Sequence, residues 1–119
     1  MSAAKKDLLI ERGADFTYVF ILKTGGVPVD LTGCKARAQV REDYDSSTAF
    51  LTFTTDNSSI VFEPQIGKVT MSASNVVTSA LIQEFGVWDF EFVFSNGKVR
   101  RLLMGKVKVS PESTKISNA

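Results

Sequence analysis

The 119-residue sequence has no histidine and only one cysteine, Cys34. Without histidine, the chain lacks the commonest general base and the commonest protein ligand for metal ions. A single cysteine excludes both an intramolecular disulfide and a cysteine-based metal site. A small domain without disulfides is typical of a reducing compartment. Folding must therefore depend on a hydrophobic core, and catalytic centres built on histidine or on paired cysteines are excluded.

The sequence also has no large excess of either charge, with 14 lysines and arginines against 13 aspartates and glutamates. This balance argues against a nucleic-acid partner. The N-terminal stretch MSAAKKDLLIERG carries charges and only three consecutive apolar residues, so we expect neither a signal peptide nor a membrane span there. Hydrophobic residues make up 44% of the chain and include nine phenylalanines. That content is sufficient for the core of one domain of this length.

Alternation of apolar and polar residues dominates the chain and predicts β-strands. The side chains expected to face the core are Phe16, Tyr18, Phe20 and Leu22; Cys34, Ala36, Ala38 and Val40; Val69, Met71 and Ala73; and Trp88, Phe90, Phe92 and Phe94. The pattern predicts an all-β fold, either an antiparallel immunoglobulin-like β-sandwich of about eight strands with one short helical turn, or a small barrel. We expect a single domain over residues 1–119, with flexible ends at about 1–7 and 111–119.

Three local features are predicted within this framework. Asn96-Gly97 is typical of a type I′ hairpin turn. Gly105 indicates a β-bulge in the last strand, whose alternation places Arg101 on the face opposite Arg100, Lys106 and Lys108. The stretch SNVVTSALIQEF predicts a short helix capped by Ser74 or Asn75. The residues expected to share one face of this helix are Val76, Val77, Ala80 and Leu81.

No set of residues in the sequence is typical of a catalytic centre. Cys34 alternates with alanines and is expected to be a buried structural thiol. The oxygen ligands needed for calcium are present at Glu42, Asp43, Asp45 and Asp56. Their spacing lacks the glycine and the distal glutamate of a known calcium loop, so a solvated turn is favoured.

Two acids in the predicted hairpin, Asp89 and Glu91, share one strand face about 6–7 Å apart, a separation compatible with acid–base cleavage of a glycosidic bond. Cross-strand ion pairs with Arg100 or Lys106 are the better interpretation. We therefore expect no enzymatic activity.

The final strand is basic, with Lys98, Arg100, Arg101, Lys106 and Lys108. A phosphate-binding stripe is one interpretation, but charges that prevent edge-to-edge aggregation of a strand are favoured. Tyr44 is the one aromatic residue that alternation does not bury, so it either anchors a partner or packs against its own loop. The residues expected to contact a partner are Tyr44, Lys106, Lys108, Lys115 and Ile116.

Several short motifs resemble a group of small structural proteins of tailed bacteriophages. These motifs are the RG.DF stretch at residues 12–16, the P.DLTG stretch at 28–33, the G.W.F.F strand at 86–92, and the closing segment R.LL.G.V.VSPE.T at 100–114. The N-terminal sandwich domains of some upper-baseplate and fibre-adaptor proteins are broadly similar. The motifs consist of turn and core residues, and the resemblance spans most of the chain.

The resemblance implies a non-enzymatic virion component, assembled in the host cytoplasm, that acts by contact with other virion proteins and with copies of itself. It implies no cofactor, no metal and no catalytic residue. A tail or baseplate location is favoured, and a capsid decoration protein is the alternative. A carbohydrate-binding module for host attachment is a further alternative, although it would need a row of exposed aromatic residues.

Overall fold

The structure is a computed structural model that describes residues 3–111, and strands dominate this part of the chain. The strands, in chain order, are β1 (Ala4–Lys5), β2 (Leu8–Glu11), β3 (Phe16–Ile21), β4 (Lys23–Thr24), β5 (Val27–Pro28), β6 (Lys35–Arg41), β7 (Leu51–Thr54), β8 (Ile60–Glu63), β9 (Lys68–Ala73), β10 (Phe85–Val93) and β11 (Val99–Ser110). A 3-10 turn, Pro64–Ile66, joins β8 to β9, and the helix α1, Asn75–Ser79, follows β9. The fold is all-β, as the alternation predicts.

The strands form two main sheets. The larger one, the six-stranded sheet, has the order β1-β11-β10-β6-β7, and β2 also pairs with β11. The smaller one, the three-stranded sheet, has the order β3-β9-β8, while β4 and β5 form a separate hairpin. Strands β1 and β2 run parallel to β11, and the remaining strand pairs are antiparallel. The parallel pairing was not predicted because alternation within a strand contains no information on the direction of its neighbour.

Aromatic side chains connect the two main sheets. Phe20 of β3 meets Phe90 of β10 edge to face at 5.4 Å, and Phe62 of β8 stacks on Phe92 of β10 at 5.5 Å. The predicted inward faces of β3, β6, β9 and β10 are confirmed, with the following residues only half-buried: Tyr18, Phe20, Leu22, Cys34, Ala73 and Phe94. One hydrophobic core therefore lies between the sheets.

The Phe94 N–H donates to the Lys98 carbonyl at 2.8 Å, which closes a three-residue loop between β10 and β11 at residues 95–97. The predicted type I′ turn is therefore wrong. A type I′ turn needs positive φ at Asn96, yet within residues 3–111 the only non-glycine residue with positive φ is Ser58. Gly97 has φ of 87° and donates its N–H to the Phe94 carbonyl at 2.9 Å. This is a type I turn followed by a left-handed glycine. The Asn96 side chain instead accepts the Lys98 N–H at 3.0 Å.

The β-bulge of β11 lies at Leu102, so its predicted position at Gly105 is wrong. Leu103 and Arg101 pair with successive residues of β10, which leaves Leu102 as the extra residue. An extra residue reverses the alternation on one side of the bulge. Arg101 therefore lies on the outer face of the sheet together with Lys106, which corrects its predicted orientation.

The predicted helical turn is present as α1, and Ser74 caps it by accepting the Val77 N–H at 3.4 Å. The predicted apolar face is wrong, since only Leu81 of that set is buried and Val76 is 74% exposed. The buried residue of α1 is Thr78. Within the described residues, no helix is long and apolar enough to cross a membrane.

Polar contacts orient α1 where apolar packing was expected. The Thr78 hydroxyl donates to the Ala14 carbonyl at 2.9 Å and accepts the Gly13 N–H at 3.1 Å. The Asp15 carboxylate accepts the backbone N–H of Asn75 at 2.7 Å and its side-chain amide at 2.9 Å. The turn between β2 and β3 therefore holds the helix in place by hydrogen bonds.

Residues 4–6, which lie within the end predicted to be flexible over residues 1–7, dock on β11. The Lys6 N–H donates to the Met104 carbonyl at 2.8 Å, and the Lys6 carbonyl accepts the Trp88 Nε1–H at 2.7 Å. Gly105 makes this approach possible, because a Cβ there would lie 2.1 Å from the Lys6 oxygen. The predicted flexible C-terminal end lies, apart from residue 111, outside the described residues.

Candidate interaction surfaces

The outer face of the six-stranded sheet carries a cluster of charged and polar side chains. Strands β6, β10 and β11 contribute to it because alternate residues of neighbouring strands point to the same face. We define the arginine–carboxylate face by its residues: Arg37, Gln39, Arg41, Asp89, Glu91 and Arg101.

Each acid of the arginine–carboxylate face has its own arginine. Arg37 Nε lies 2.8 Å from Glu91 Oε1, and Arg101 Nε lies 3.4 Å from Asp89 Oδ2. Cross-strand ion pairs were predicted, but with Arg100 or Lys106 as partners, and those partners are wrong. The bulge at Leu102 brings Arg101 to this face, while Arg37 comes from β6 on the other side of β10. Two acids that are each paired with an arginine are typical of a solvated sheet face.

The carboxyl group of Asp89 is partly withdrawn from water. Burial raises the pKa of Asp89 above its ordinary value, and the charge of Glu91 adds to the increase, while Arg101 and Arg41 oppose it. The direction shows that burial and the charge of Glu91 together disfavour the charged form of Asp89 more than the two arginines favour it.

We expect Asp89→Asn to remove a pH-dependent loss of stability. The folded pKa of Asp89 lies above the unfolded value, so Asp89 contributes a loss of stability as the pH rises from about 4 through the folded pKa. The loss should stay below about 1 kcal/mol, because the side chain is partly solvated and paired. Urea denaturation at a series of pH values measures it. The same pH dependence of stability in the wild type and the Asn variant over this interval would contradict the expectation.

Tyr44 contacts β11 and stays partly exposed, while its role as an anchor for a partner stays a prediction. Its side chain is 51% exposed, and its hydroxyl donates to the Gly105 carbonyl at 3.4 Å. It therefore packs back on β11 and still offers surface to a partner. Beside it lies a shallow pocket of about 180 Å³ whose lining includes Gln39, Arg41 and Asp89.

The two predicted lysine contacts of β11 both have exposed side chains on the outer face. Lys108 lies between Leu9 of β2, which is 56% exposed, and Phe85 of β10, which is 64% exposed. We define these three residues as the Leu9–Phe85 row. Lys106 donates its backbone N–H to Asp7 Oδ1 at 2.9 Å. The other two predicted contact residues, Lys115 and Ile116, lie outside the described residues.

The acids considered for calcium lie at two separate turns. The Asp43 carboxylate accepts the Asp45 N–H at 2.9 Å within its own loop, while Asp56 lies 3.7 Å from Lys35 Nζ. Among residues 3–111 no group of three or more potential ligands is placed to hold a metal ion. Cys34 is half-buried, in place of the full burial expected, because it sits at the rim of the core just before β6.

The three-stranded sheet ends at β3, and no strand in the described part of the chain covers that side. We call this side the β3 edge. Its outward side chains are Thr17, Val19 and Ile21, and the two aliphatic ones are 45% and 47% exposed. Sequence reasoning missed this surface because the inward aromatic row of β3 determined the interpretation. The available signal was that Val19 and Ile21 make the outward face of the same strand apolar.

The two most distinctive N-terminal motifs have structural roles. The RG.DF motif forms the turn that holds α1 in place, through Gly13 and Asp15. In the DLTG motif, the Asp30 carboxylate accepts the Thr32 N–H at 2.9 Å and the Thr32 hydroxyl at 2.6 Å, and the Leu31 side chain is 1% exposed. Each motif therefore shapes a turn and anchors it to the core.

No protein-family model matches the chain, and a search of curated proteins finds no match. What the chain does must therefore be inferred from its own residues and surfaces.

Proposed function

We propose that this chain is a non-enzymatic structural component of a tailed-phage particle, acting as an assembly or adaptor protein of the tail or baseplate. It would act by contact with other virion proteins and with copies of itself, and it would reside in the virion after assembly in the host cytoplasm. The observation that carries the proposal is the β3 edge, an uncharged strand whose outer side no strand within residues 3–111 covers. The motifs that resemble those of phage structural proteins are the reason for placing this contact in a phage particle.

We also propose that the fold is an immunoglobulin-like β-sandwich. The order β3-β9-β8 corresponds to strands B, E and D of that fold, and β11-β10-β6-β7 corresponds to G, F, C and C′. The chain departs from antibody domains in two ways. It has no disulfide between the sheets, and its buried tryptophan, Trp88, lies on the F-equivalent strand β10. The aromatic pairs between the sheets occupy the space where antibody domains place the disulfide.

Exposed apolar residues on both faces of the molecule support an assembly role. On the three-stranded sheet, Val19 and Val61 flank Thr70 in one cross-strand row, and Val61 is 52% exposed. On the opposite side of the molecule, the Leu9–Phe85 row adds exposed apolar side chains. Thr70 interrupts the first row and Lys108 the second, so the exposed apolar side chains are suited to small contacts with a neighbouring protein and do not form one large apolar patch. A small domain with one such row on each sheet is suited to sit between two neighbours.

The test is whether the chain belongs to particles. Phage particles that encode it should be purified on a density gradient, and the copy number of the chain relative to the major capsid protein should be measured by mass spectrometry. The proposal predicts a fixed ratio that persists through repeated purification. Isolated tails should retain the chain, whereas retention on tail-free heads would indicate the capsid decoration protein. Absence from particles would contradict a virion role.

A carbohydrate-binding module remains the second candidate, and the pocket beside Tyr44 favours it. An exposed aromatic ring next to carboxylate, amide and guanidinium groups can stack on a sugar ring and bind its hydroxyls. Binding to a glycan array that is lost in the Tyr44→Ala variant would support this candidate. Identical profiles for the wild type and the variant would exclude the pocket as a glycan site.

A further inference from the structure

We infer that β3 pairs antiparallel with β3 of a second copy of this chain, with Val19 on the two-fold axis. The pairing would join two three-stranded sheets into one continuous sheet of six strands. It deepens the proposed function and rests on it, because it names the surface and the partner of the assembly contact. The contact is isologous, as expected of a two-fold dimer.

The direction of the backbone N–H and C=O groups shows which residues of β3 can form hydrogen bonds with a strand of the second copy. The Leu22 N–H donates to the Gly67 carbonyl at 2.8 Å, so the antiparallel pairs with β9 that exchange hydrogen bonds include Phe20 with Val69. Hydrogen-bonded and non-hydrogen-bonded pairs alternate along such a ladder. The backbone groups of Thr17, Val19 and Ile21 therefore point away from β9, toward the uncovered side.

One register makes the β3 edge complementary to itself. When Val19 opposes Val19 of the second copy, Thr17 opposes Ile21, and the three available residues of each copy all pair. Asp15 and Lys23, both exposed, lie four positions on either side of Val19. Asp15 of one copy then lies opposite Lys23 of the other at both ends of the contact. Opposite charges in facing positions stabilise an antiparallel pair.

Hydrogen bonds within the chain already fix the position of the Asp15 carboxylate that would face Lys23 of the second copy. Its Oδ1 accepts two hydrogen bonds from Asn75, at 2.7 and 2.9 Å, which fix the carboxylate at the start of the edge. On the inner side of β3, Lys6 Nζ lies 5.5 Å from the centre of the Tyr18 ring. The inner side of the strand is therefore covered, whereas its outer side chains are exposed and no strand of the described part of the chain pairs with its backbone edge.

The β3 edge lacks the features that normally keep sheet edges apart, which are charges, prolines, bulges and shortness. The six residues FTYVFI contain no charge and no proline, and they pair with β9 without a register shift. The other uncovered edges differ. Strands β7 and β8 have four residues each, and the N-terminal edge is broken between β1 and β2 and carries Lys5 and Glu11. The β3 edge is thus the one best suited to pair with another strand.

Site-directed cross-linking tests the register. In a Cys34→Ser background, Val19→Cys should be cross-linked into dimers by a short bismaleimide, because the two Cα atoms would lie about 5.5 Å apart. Val61→Cys is the matched control, with the same residue type, sheet face and similar exposure. Its two copies would lie five strand spacings apart, about 24 Å, and should not react. A mixture of Thr17→Cys and Ile21→Cys should cross-link better than either variant alone. Efficient reaction at Val61→Cys, or none at Val19→Cys, would overturn the inference.

A charge substitution tests the energetics. Val19→Lys places two like charges opposite each other on the axis, so the dimer dissociation constant measured by sedimentation equilibrium should rise at least about tenfold. Val61→Lys, two strands from the edge, should leave it unchanged. Circular dichroism should show both variants folded, since both side chains are about half exposed. A dissociation constant that changes equally in the two variants would contradict the β3 contact.

Failure of the self-pairing can be distinguished from failure of the proposed function. A wild-type chain that stays monomeric in sedimentation, or that dimerises without sensitivity to Val19→Lys, overturns the inference about β3. The copy number in purified particles is measured separately and decides whether the chain is a virion component. A monomeric chain that is present at a fixed copy number would keep the proposed function and remove only the self-contact.

Discussion

Replacing Gly105 with alanine is expected to lower the free energy of unfolding by about 3 kcal/mol, through overpacking and a lost hydrogen bond. The added Cβ would lie 2.1 Å from the Lys6 oxygen and 2.6 Å from the Lys6 carbonyl carbon. Both atoms are backbone, so a side-chain rotation cannot relieve the clash. The N-terminal segment must move away from β11, and Trp88 then loses the acceptor of its indole N–H.

The Gly105→Ala effect can be measured by urea denaturation followed by circular dichroism. Trp88 is the only tryptophan, so its fluorescence reports directly on the displaced Lys6 carbonyl and should shift to longer wavelength as water reaches the indole. Gly25→Ala is the control. Nothing lies within 4 Å of a Cβ at that position, and its cost is limited to about 1 kcal/mol for the left-handed backbone. Equal losses of unfolding free energy in the two variants would show that the close approach of the Lys6 backbone to Gly105 is unimportant for stability.

Trp88→Phe is expected to cost about 2–3 kcal/mol, although it keeps an aromatic ring in the core. The side chain is 1% exposed and meets Tyr18 edge to face at 6.4 Å. The smaller ring leaves unfilled volume and removes the N–H that the Lys6 carbonyl accepts at 2.7 Å. A buried acceptor without its donor accounts for part of the cost. Phe92→Leu is a useful comparison, since it changes core volume without removing a polar partner.

The Gly105→Ala and Trp88→Phe changes act on the same contact, so their effects should not add. Once Gly105→Ala has displaced the Lys6 carbonyl, the hydrogen bond of the Trp88 indole N–H is already broken, so Trp88→Phe removes no further hydrogen bond. The double variant should therefore be less destabilised than the sum of the two single variants, by at least about 0.5 kcal/mol. Strict additivity would mean that Trp88 does not hold the N-terminal segment.

Alternation predicted the β-strands and their inward faces because a strand between two layers must separate apolar from polar side chains residue by residue. It identified the core-facing row of β10, and Trp88, Phe90 and Phe92 are all buried. The bulge at Leu102 was not predictable in this way. A bulge depends on how two strands pair. Leu102 and Leu103 are both apolar, so the alternation of β11 fits equally well with either of them facing the core.

The helix and the candidate site illustrate the same limit. Val76 and Val77 suggested an apolar face, yet the contacts that decide the orientation of α1 are made by Thr78 with a turn more than 60 positions earlier in the sequence. The acids of the arginine–carboxylate face were predicted to form ion pairs, but the pair with Arg37 depends on strand order and the pair with Arg101 depends on the bulge at Leu102. The β3 edge became visible only when the sheet order showed that β3 is the last strand on that side of its sheet among the described residues.

The solution mass of the wild-type chain tests most directly whether this protein acts by assembling with itself. Light scattering coupled to size-exclusion chromatography should be run over a range of concentrations. The account predicts a discrete species of at least twice the monomer mass of 13.0 kDa, returning to the monomer mass in the Val19→Lys variant but not in Val61→Lys. A mass of 13.0 kDa for the wild type at every concentration would contradict it.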